Sequence, residues 1–383
     1  MSRVDNQRRL FLELIEELRP WWRRDPGLPQ RLAAWLARHR AGSRDRRLYR
    51  ELAYTAWRIL PWVEDAAPDR LVGLVAQHAE PSRATTDFIA AFGHPESPVP
   101  DTSLFPAWLD EACPGMQTAA QRPAMLSRAP LWIRLQTSDA TAVAQEFSSR
   151  DITFTPSDII PGAWRVDGEV NLATTAAYRD GLIEIQDIGS QALLHSLPAP
   201  LAGHWLDACA GAGGKTLQLA GMLGTAGKVT AHDVRGAALQ ELSLRVRRAR
   251  LTNVSVDANP TGRFDGVLVD APCSGSGTWR RSPHLKWTTT PESIRRAVEK
   301  QLFVLDRFAP LVADRGLLVY ATCSLCRAEN EDVIASFQLS HPHFSPVPLR
   351  HPATGEVVRD GHLALLPADL DSDAYFVAAF RRS

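Results

Sequence analysis

From residue 190 onward the chain alternates short apolar runs with amphipathic segments, and this alternation constrains the fold more than any other feature. Strands interleaved with helices predict an α/β architecture, a mostly parallel sheet flanked by helices. The strands expected are HWLDAC (204–209), KVTAHD (228–233), NVSV (253–256), FDGVLVDAP (264–272), GLLVYATC (316–323) and a final pair near 363–366 and 374–380. The helices expected are 215–223, 235–250, 291–309 and 328–338. Thr290 followed by Pro291 marks the start of the third, because proline at the first helical position forfeits no hydrogen bond. In open sheets of this kind ligands bind outside the carboxyl ends of the strands, so chemistry is expected just after each strand.

Upstream the texture differs. LFLELIEELRPWW and LPQRLAAWLARHR carry apolar residues at a spacing of three to four, and GSRDRRLYRELAYTAWRIL opens with Ser43 as an expected N-cap. Residues 7–80 therefore predict an all-helical domain. Residues 92–124 are rich in Pro, Gly and Ser and read as a connector. From about 128, PLWIRLQT, ITFTPSDII and AWRVDG look like strands around a short helix, TAVAQEFSSR, which makes a small α+β module. The division expected is 1–120, helical with its linker; 121–190, the module; and 191–383, the α/β domain.

A chain of 383 residues with 45% hydrophobic and 22% charged positions is neither disordered nor collagenous. No apolar run approaches the ~18 residues of a membrane span, and acids interrupt the apolar start MSRVDNQRRLFLELIEELRP. Five cysteines without framework spacing suit a reducing compartment, so a soluble, cytoplasmic, monomeric protein is expected. The net charge is zero, yet residues 1–60 hold 14 Arg and no Lys against 7 Asp and Glu. Such a basic segment suits a polyanion such as RNA; a solvated helical face is the plainer reading. Against 39 Arg stand only four Lys: 215, 228, 286 and 300.

The first strand runs into Asp207-Ala-Cys-Ala-Gly-Ala-Gly-Gly-Lys-Thr216, a glycine-rich turn opening a helix. Such turns bring backbone close to a ligand and aim N–H groups at it. Gly214-Lys215-Thr216 also suggests a P-loop, but that motif needs Gly at position 209, where the chain has Cys. Asp233, about 20 residues on, suits ribose hydroxyls. A nucleoside site without a phosphate cradle suggests S-adenosyl-L-methionine.

Asp270-Ala-Pro-Cys273 and Tyr320-Ala-Thr-Cys323 each set a cysteine just past a buried strand. Neighbouring strands lie about 4.8 Å apart, so both thiols should face one pocket. A strand-end cysteine is otherwise an inert small hydrophobe. Cys323-Ser-Leu-Cys326 could also bind metal or cycle as a redox pair, but a zinc site needs a second such pair and the chain has none; no metal is expected. Arg280, Arg281 and Lys286 follow the first cysteine and could meet phosphates, or form a solvated loop.

DACAGAGGKT, DAPCSGSGTWRRSPHLKW and YATCSLCRAENED resemble the three central motifs of the NOL/NOP/Sun (RsmB-like) family of RNA cytosine-C5 methyltransferases. The resemblance extends to PLWIRLQT, IEIQDIGSQALL and LLPADLDSDAYFVAAFRR, and GSRDRRLYRELAYTAWR resembles a NusB-like helical domain. It implies a Rossmann-like sheet binding S-adenosylmethionine through Ala210, Gly211, Ala212, Gly213, Gly214, Lys215, Asp233 and Asp270, with Asp257 as a candidate third acid. It implies Cys323 as the nucleophile, Cys273 in product release and Asp270 as the acid that meets cytosine. Two departures from the family pattern are Gly211-Ala212 for Ala-Pro and Asp373-Ala-Tyr-Phe376 for Asp-Gly-Phe-Phe. The implied substrate is 16S rRNA; a tRNA, a DNA cytosine attacked by Cys273, or a catalytically silent ribosome-assembly role are the alternatives.

Overall fold

A computed structural model describes residues 2–93, 103–168 and 170–383. Part of the expected connector, 94–102, lies outside the described residues. The chain forms two compact units, Met1–Glu111 with Thr278–Thr290, and Ala112–Gly277 with Pro291–Ser383.

The first unit is helical, with its longer helices at Arg3–Leu18, Leu28–Arg38, Ser43–Arg58, Pro68–His78 and Thr86–Phe92. Phe11, Leu14, Ile15 and Leu18 recur at helical spacing and bury one face of the first helix against Trp35, Leu52, Trp57, Leu74 and Phe88. Ser2 and Asp5 close a capping box at its start. Ser43 differs from expectation. Extended Gly42 is the N-cap, Ser43 is already helical, and the cap position has no side chain to accept from the turn; Asp45 in the first turn instead complements the helix dipole.

In the second unit, β1 (Leu131–Leu135), β2 (Phe154–Pro156), β3 (Ala163–Val166) and β4 (Ile183–Ile185) form an antiparallel sheet of order β2-β3-β1-β4. The helix Thr141–Ser149 buries Val143 and Phe147 in the same apolar cluster as Ile133 and Trp164.

The larger sheet comprises β5 (His204–Asp207), β6 (Lys228–Ala231), β7 (Val254–Val256), β8 (Phe264–Asp270) and β9 (Val312–Thr322), all parallel in the order β7-β6-β5-β8-β9. After β10 (Phe344–Pro346), a two-stranded ribbon of β11 (Leu349–Arg350) and β12 (Val357–Val358), and β13 (His362–Leu365), the chain ends in β14 (Tyr375–Arg382). β14 pairs antiparallel with β9 and, on its other side, with β10 and β13. Gly316–Thr322 of β9 are all buried, as befits a strand covered on both faces. The strand order reverses between β5 and β8, and there the carboxyl ends should hold a ligand. Among the described residues, no helix is long and apolar enough to cross a membrane.

Candidate active site

Four segments meet beyond the carboxyl ends of β5, β6, β8 and β9. Asp207 closes β5 and the glycine loop follows it. Gly213 has φ +93°, and a Cβ there would lie 2.9 Å from Leu242, so the turn requires glycine. Gly214 opens the helix Gly214–Leu223, and a Cβ added to it would meet no described atom within 4 Å, which leaves room over the helix N-terminus. Ala210 N–H donates to His232 O at 2.8 Å, tying the loop to the end of β6.

Asp233 follows β6. Its carboxylate accepts Gly211 N–H at 2.8 Å and, from Arg235, the backbone N–H at 2.8 Å, Nε at 2.9 Å and Nη2 at 3.0 Å. Burial opposes its charge, but these donors win and hold its pKa below the ordinary value. Asp257 sits exposed after β7, where its carboxylate accepts Asn259 N–H at 2.9 Å.

Lys215 reaches from the helix start to Asp270 at the end of β8, Nζ to Oδ2 2.8 Å, and lies 5.5 Å from the Tyr375 ring centroid. Burial works to discharge Lys215, but the Asp270 charge outweighs it and raises the pKa. Asp207 lies in the same place and was not singled out from the sequence as a site residue. It is 1% exposed, accepts the Thr216 hydroxyl at 2.7 Å on Oδ2 and, among the described residues, has no partner on Oδ1. Burial raises its pKa to about 7. Its only sequence signal was its position at the strand end.

The two cysteines meet, with Cys273 Sγ 3.4 Å from Cys323 Sγ. The hydrogen bond with Cys323 first, and then burial, hold the Cys273 pKa well above the usual thiol value. Cys326 does not join them. Its sulfur lies 3.3 Å from Cys113, both of them buried, so the two thiols of the C-x-x-C face different partners. Among the described residues, no group of three or more His, Cys, Asp or Glu is placed to hold a metal ion. Glu329, also missed, is buried between the cysteine loops and accepts from Ser274, Ser324 and Gln301.

The expected phosphate contacts need correction. Arg280 and Lys286 are each 2% exposed, and only Arg281 is at the surface. Residues 278–290 fold with the helical unit, and Trp287 joins its core. There Lys286 Nζ donates to Arg58 O at 2.9 Å and lies 4.8 Å from the Trp287 ring centroid. Burial holds the Lys286 pKa well below that of a free amine.

Residues 197–381 match the family described as 16S rRNA methyltransferase RsmB/F. The chain is 36% identical over 224 residues to the probable ribosomal RNA small subunit methyltransferase B of Bacillus subtilis, covering 55% of this chain and 50% of that protein. It is 33% identical over 239 residues to the ribosomal RNA small subunit methyltransferase F of Aeromonas salmonicida, covering 58% and 50%. The match thus spans about half the length of these curated relatives. The crystal structure of PH0851 shares the fold, with a TM-score of 0.72 at 22% identity over 91% of this chain and 93% of the other. NSun6 from Pyrococcus horikoshii, solved with SFG, does so at a TM-score of 0.61 and 15% identity, over 72% and 96%. Residues 197–381, which hold the parallel sheet and the strand-end motifs described above, are thus similar to the RsmB/F family of rRNA methyltransferases.

Proposed function

We propose that the protein transfers a methyl group from S-adenosylmethionine to C5 of a cytosine in 16S rRNA, through a covalent bond between Cys323 and C6. The observation that carries this reading is the contact of Cys273 and Cys323 at 3.4 Å, on adjacent strand ends beside the Asp270–Lys215 pair.

C5 of cytosine is a poor nucleophile until a thiolate adds to C6 and makes it enamine-like. Only the thiolate adds, and an electropositive neighbour favours it; the Lys215 ammonium supplies one near Cys323. Cys323 is the sulfur that would attack C6, with Cys273 beside it at 3.4 Å. Asp270, fixed by Lys215 through Oδ2, has its other oxygen for the polar edge of the base, where it would hydrogen-bond the cytosine and orient C6 toward Cys323. Once C5 carries the methyl group, a base such as water must take its C5 proton, while the C5–H electron pair forms the C5=C6 bond and expels Cys323 as a thiolate. Cys273 is within reach of the departing sulfur and can give it a proton. The target base must be unpaired or flipped out to enter such a site.

The donor set fits S-adenosylmethionine. Asp207 Oδ1 is a buried acceptor without a partner among the described residues, and the approach over Gly214 is open. Ala210–Lys215 and Asp233 would hold the cofactor, which supplies an electrophilic methyl group when bound. The arginine-rich helical unit suits RNA as the partner.

The test is methyl transfer from labelled S-adenosylmethionine to small-subunit RNA, tRNA and duplex DNA, with the product base mapped by bisulfite sequencing. Label at a cytosine of 16S rRNA is expected. Label confined to tRNA or to DNA would replace the substrate, and no label on any of them would leave an assembly role.

A further inference from the structure

We propose that Glu329 is a positioning residue that holds the two cysteine loops at reacting distance; the inference rests on the reaction proposed above. Glu329 is 0% exposed and sits in the short turn Arg327–Glu329 after β9. Its carboxyl group joins the residues that directly follow the two cysteines. From the Cys273 loop it accepts the Ser274 backbone N–H on Oε1 at 2.7 Å and the Ser274 hydroxyl on Oε2. From the Cys323 loop it accepts the Ser324 hydroxyl, also on Oε2. Gln301 Nε2 donates to Oε1 at 3.1 Å and also to the Pro272 carbonyl, just before Cys273, at 3.1 Å.

The Ser274 backbone amide and the Gln301 amide donate to Oε1 and the two serine hydroxyls lie on Oε2, so each oxygen of Glu329 is partnered. A carboxyl group is costly to bury, and here serine hydroxyls, a backbone amide and a glutamine satisfy it. Outer contacts fix the turn that carries it. Tyr320 donates its hydroxyl to Glu329 O at 2.6 Å, and Asn330, which accepts the Thr322 hydroxyl at 2.6 Å, donates to Ser324 O at 2.9 Å. The same carboxylate acts on the thiols through its charge. The Cys323 hydrogen bond and burial are the main causes that keep the Cys273 proton in place, and the Glu329 charge adds to them. Reacting groups held by such an outer layer lose rate when the layer is loosened, even though nothing that touches substrate has changed.

The full-length protein decides the matter with two variants. Glu329→Gln keeps the volume and an oxygen for Ser274 N–H and Gln301 but places an NH2 group where two hydroxyls now donate. Glu329→Asp keeps the charge on a shorter arm. Steady-state methylation is measured alongside the pH profile of iodoacetamide alkylation at Cys273 and Cys323, read by peptide mass spectrometry. Glu329→Gln is expected to lower kcat roughly tenfold or more while KM for S-adenosylmethionine stays within about twofold. Its Cys273 alkylation profile should move to lower pH, and Glu329→Asp should recover part of both losses. Unchanged kcat and an unmoved alkylation profile in Glu329→Gln would overturn the proposal. So would a lost kcat with unmoved profiles and no recovery in Glu329→Asp. If Glu329→Gln does not fold, the alkylation profile of Glu329→Asp decides alone, and a wild-type profile overturns the proposal. Wild-type protein that methylates no RNA refutes the proposed reaction instead, and alkylation still judges Glu329.

Discussion

Lys215 Nζ and Asp270 Oδ2 lie 2.8 Å apart although 55 positions separate them in the chain. One stands in the first turn of the helix after β5 and the other at the end of β8, and these strands are neighbours at the reversal of the sheet. A chain that uses arginine almost everywhere places a compact ammonium here. The Lys215 side chain is 11% exposed and that of Asp270 31%.

Asp270→Asn leaves the buried ammonium without its counter-charge. Breaking a fully buried pair costs about 3–5 kcal/mol; the partial exposure of the carboxylate reduces this to an expected ~1–3 kcal/mol in denaturant unfolding. Methyl transfer should fall by about two orders of magnitude, as for the loss of a group that orients a reactant. A variant that unfolds like wild type and methylates normally would remove Asp270 from the site.

The two cysteines separate by their trapped products. Cys323→Ala should form no covalent complex with RNA and transfer no methyl group, because the proposed reaction makes Cys323 the sulfur that adds to C6. Cys273→Ala should attack and methylate once, then remain attached, since the proton donor for release is gone. Denaturing gels with labelled RNA should show a retarded band only for Cys273→Ala. The opposite pattern would make Cys273 the nucleophile and favour the chemistry of DNA cytosine methylation.

Much of this site was legible in the sequence, and the rest failed for identifiable reasons. Cys273 and Cys323 could be paired because each ends a run apolar enough to be a central strand, and neighbouring strand ends share a pocket. β4, β10 and the ribbon of β11 and β12 are two or three residues long, too short for a period of two to show. Asp207 and Glu329 carry no periodic signal. Burial and the donors around them set their roles, and those donors come from distant positions. Arg280 and Lys286 misled because a cation in a loop reads as exposed, whereas Trp287 takes this segment into a helical core.

Asp233 offers its acceptors to Arg235 and Gly211 in this structure. A cofactor hydroxyl must compete with a guanidinium whose side chain is 69% exposed and can swing aside. Asp233→Ala should weaken S-adenosylmethionine binding by about 1–3 kcal/mol, the cost of a lost polar contact. Arg235→Ala should bind at least as tightly as wild type, because the competitor is removed. Calorimetry on both variants checks the pair of claims, and equal affinity in Asp233→Ala and wild type would withdraw Asp233 from the cofactor site.

His284 predicts how the helical unit responds to acid. Its ring is 4% exposed, its centroid lies 5.5 Å from that of Trp57, and Nδ1 has no hydrogen-bond partner among the described residues. Burial lowers its pKa to about 4; a backbone contact with Pro26 and the charge of Asp25 oppose the shift without reversing it. An unfolded histidine titrates near 6.5. Between these values the unfolded chain binds the proton and the folded one does not, so stability falls as pH falls. The contribution is whole above about pH 6.5 and is lost on the way down to about pH 4. His78, in the same unit, is also depressed by burial and acts in the same direction. Thermal melts of the wild type should therefore drop steadily between pH 7 and 4.5, and those of His284→Phe should drop less over that window. Parallel curves for the two proteins would mean that His284 takes up its proton without unfolding the unit around it.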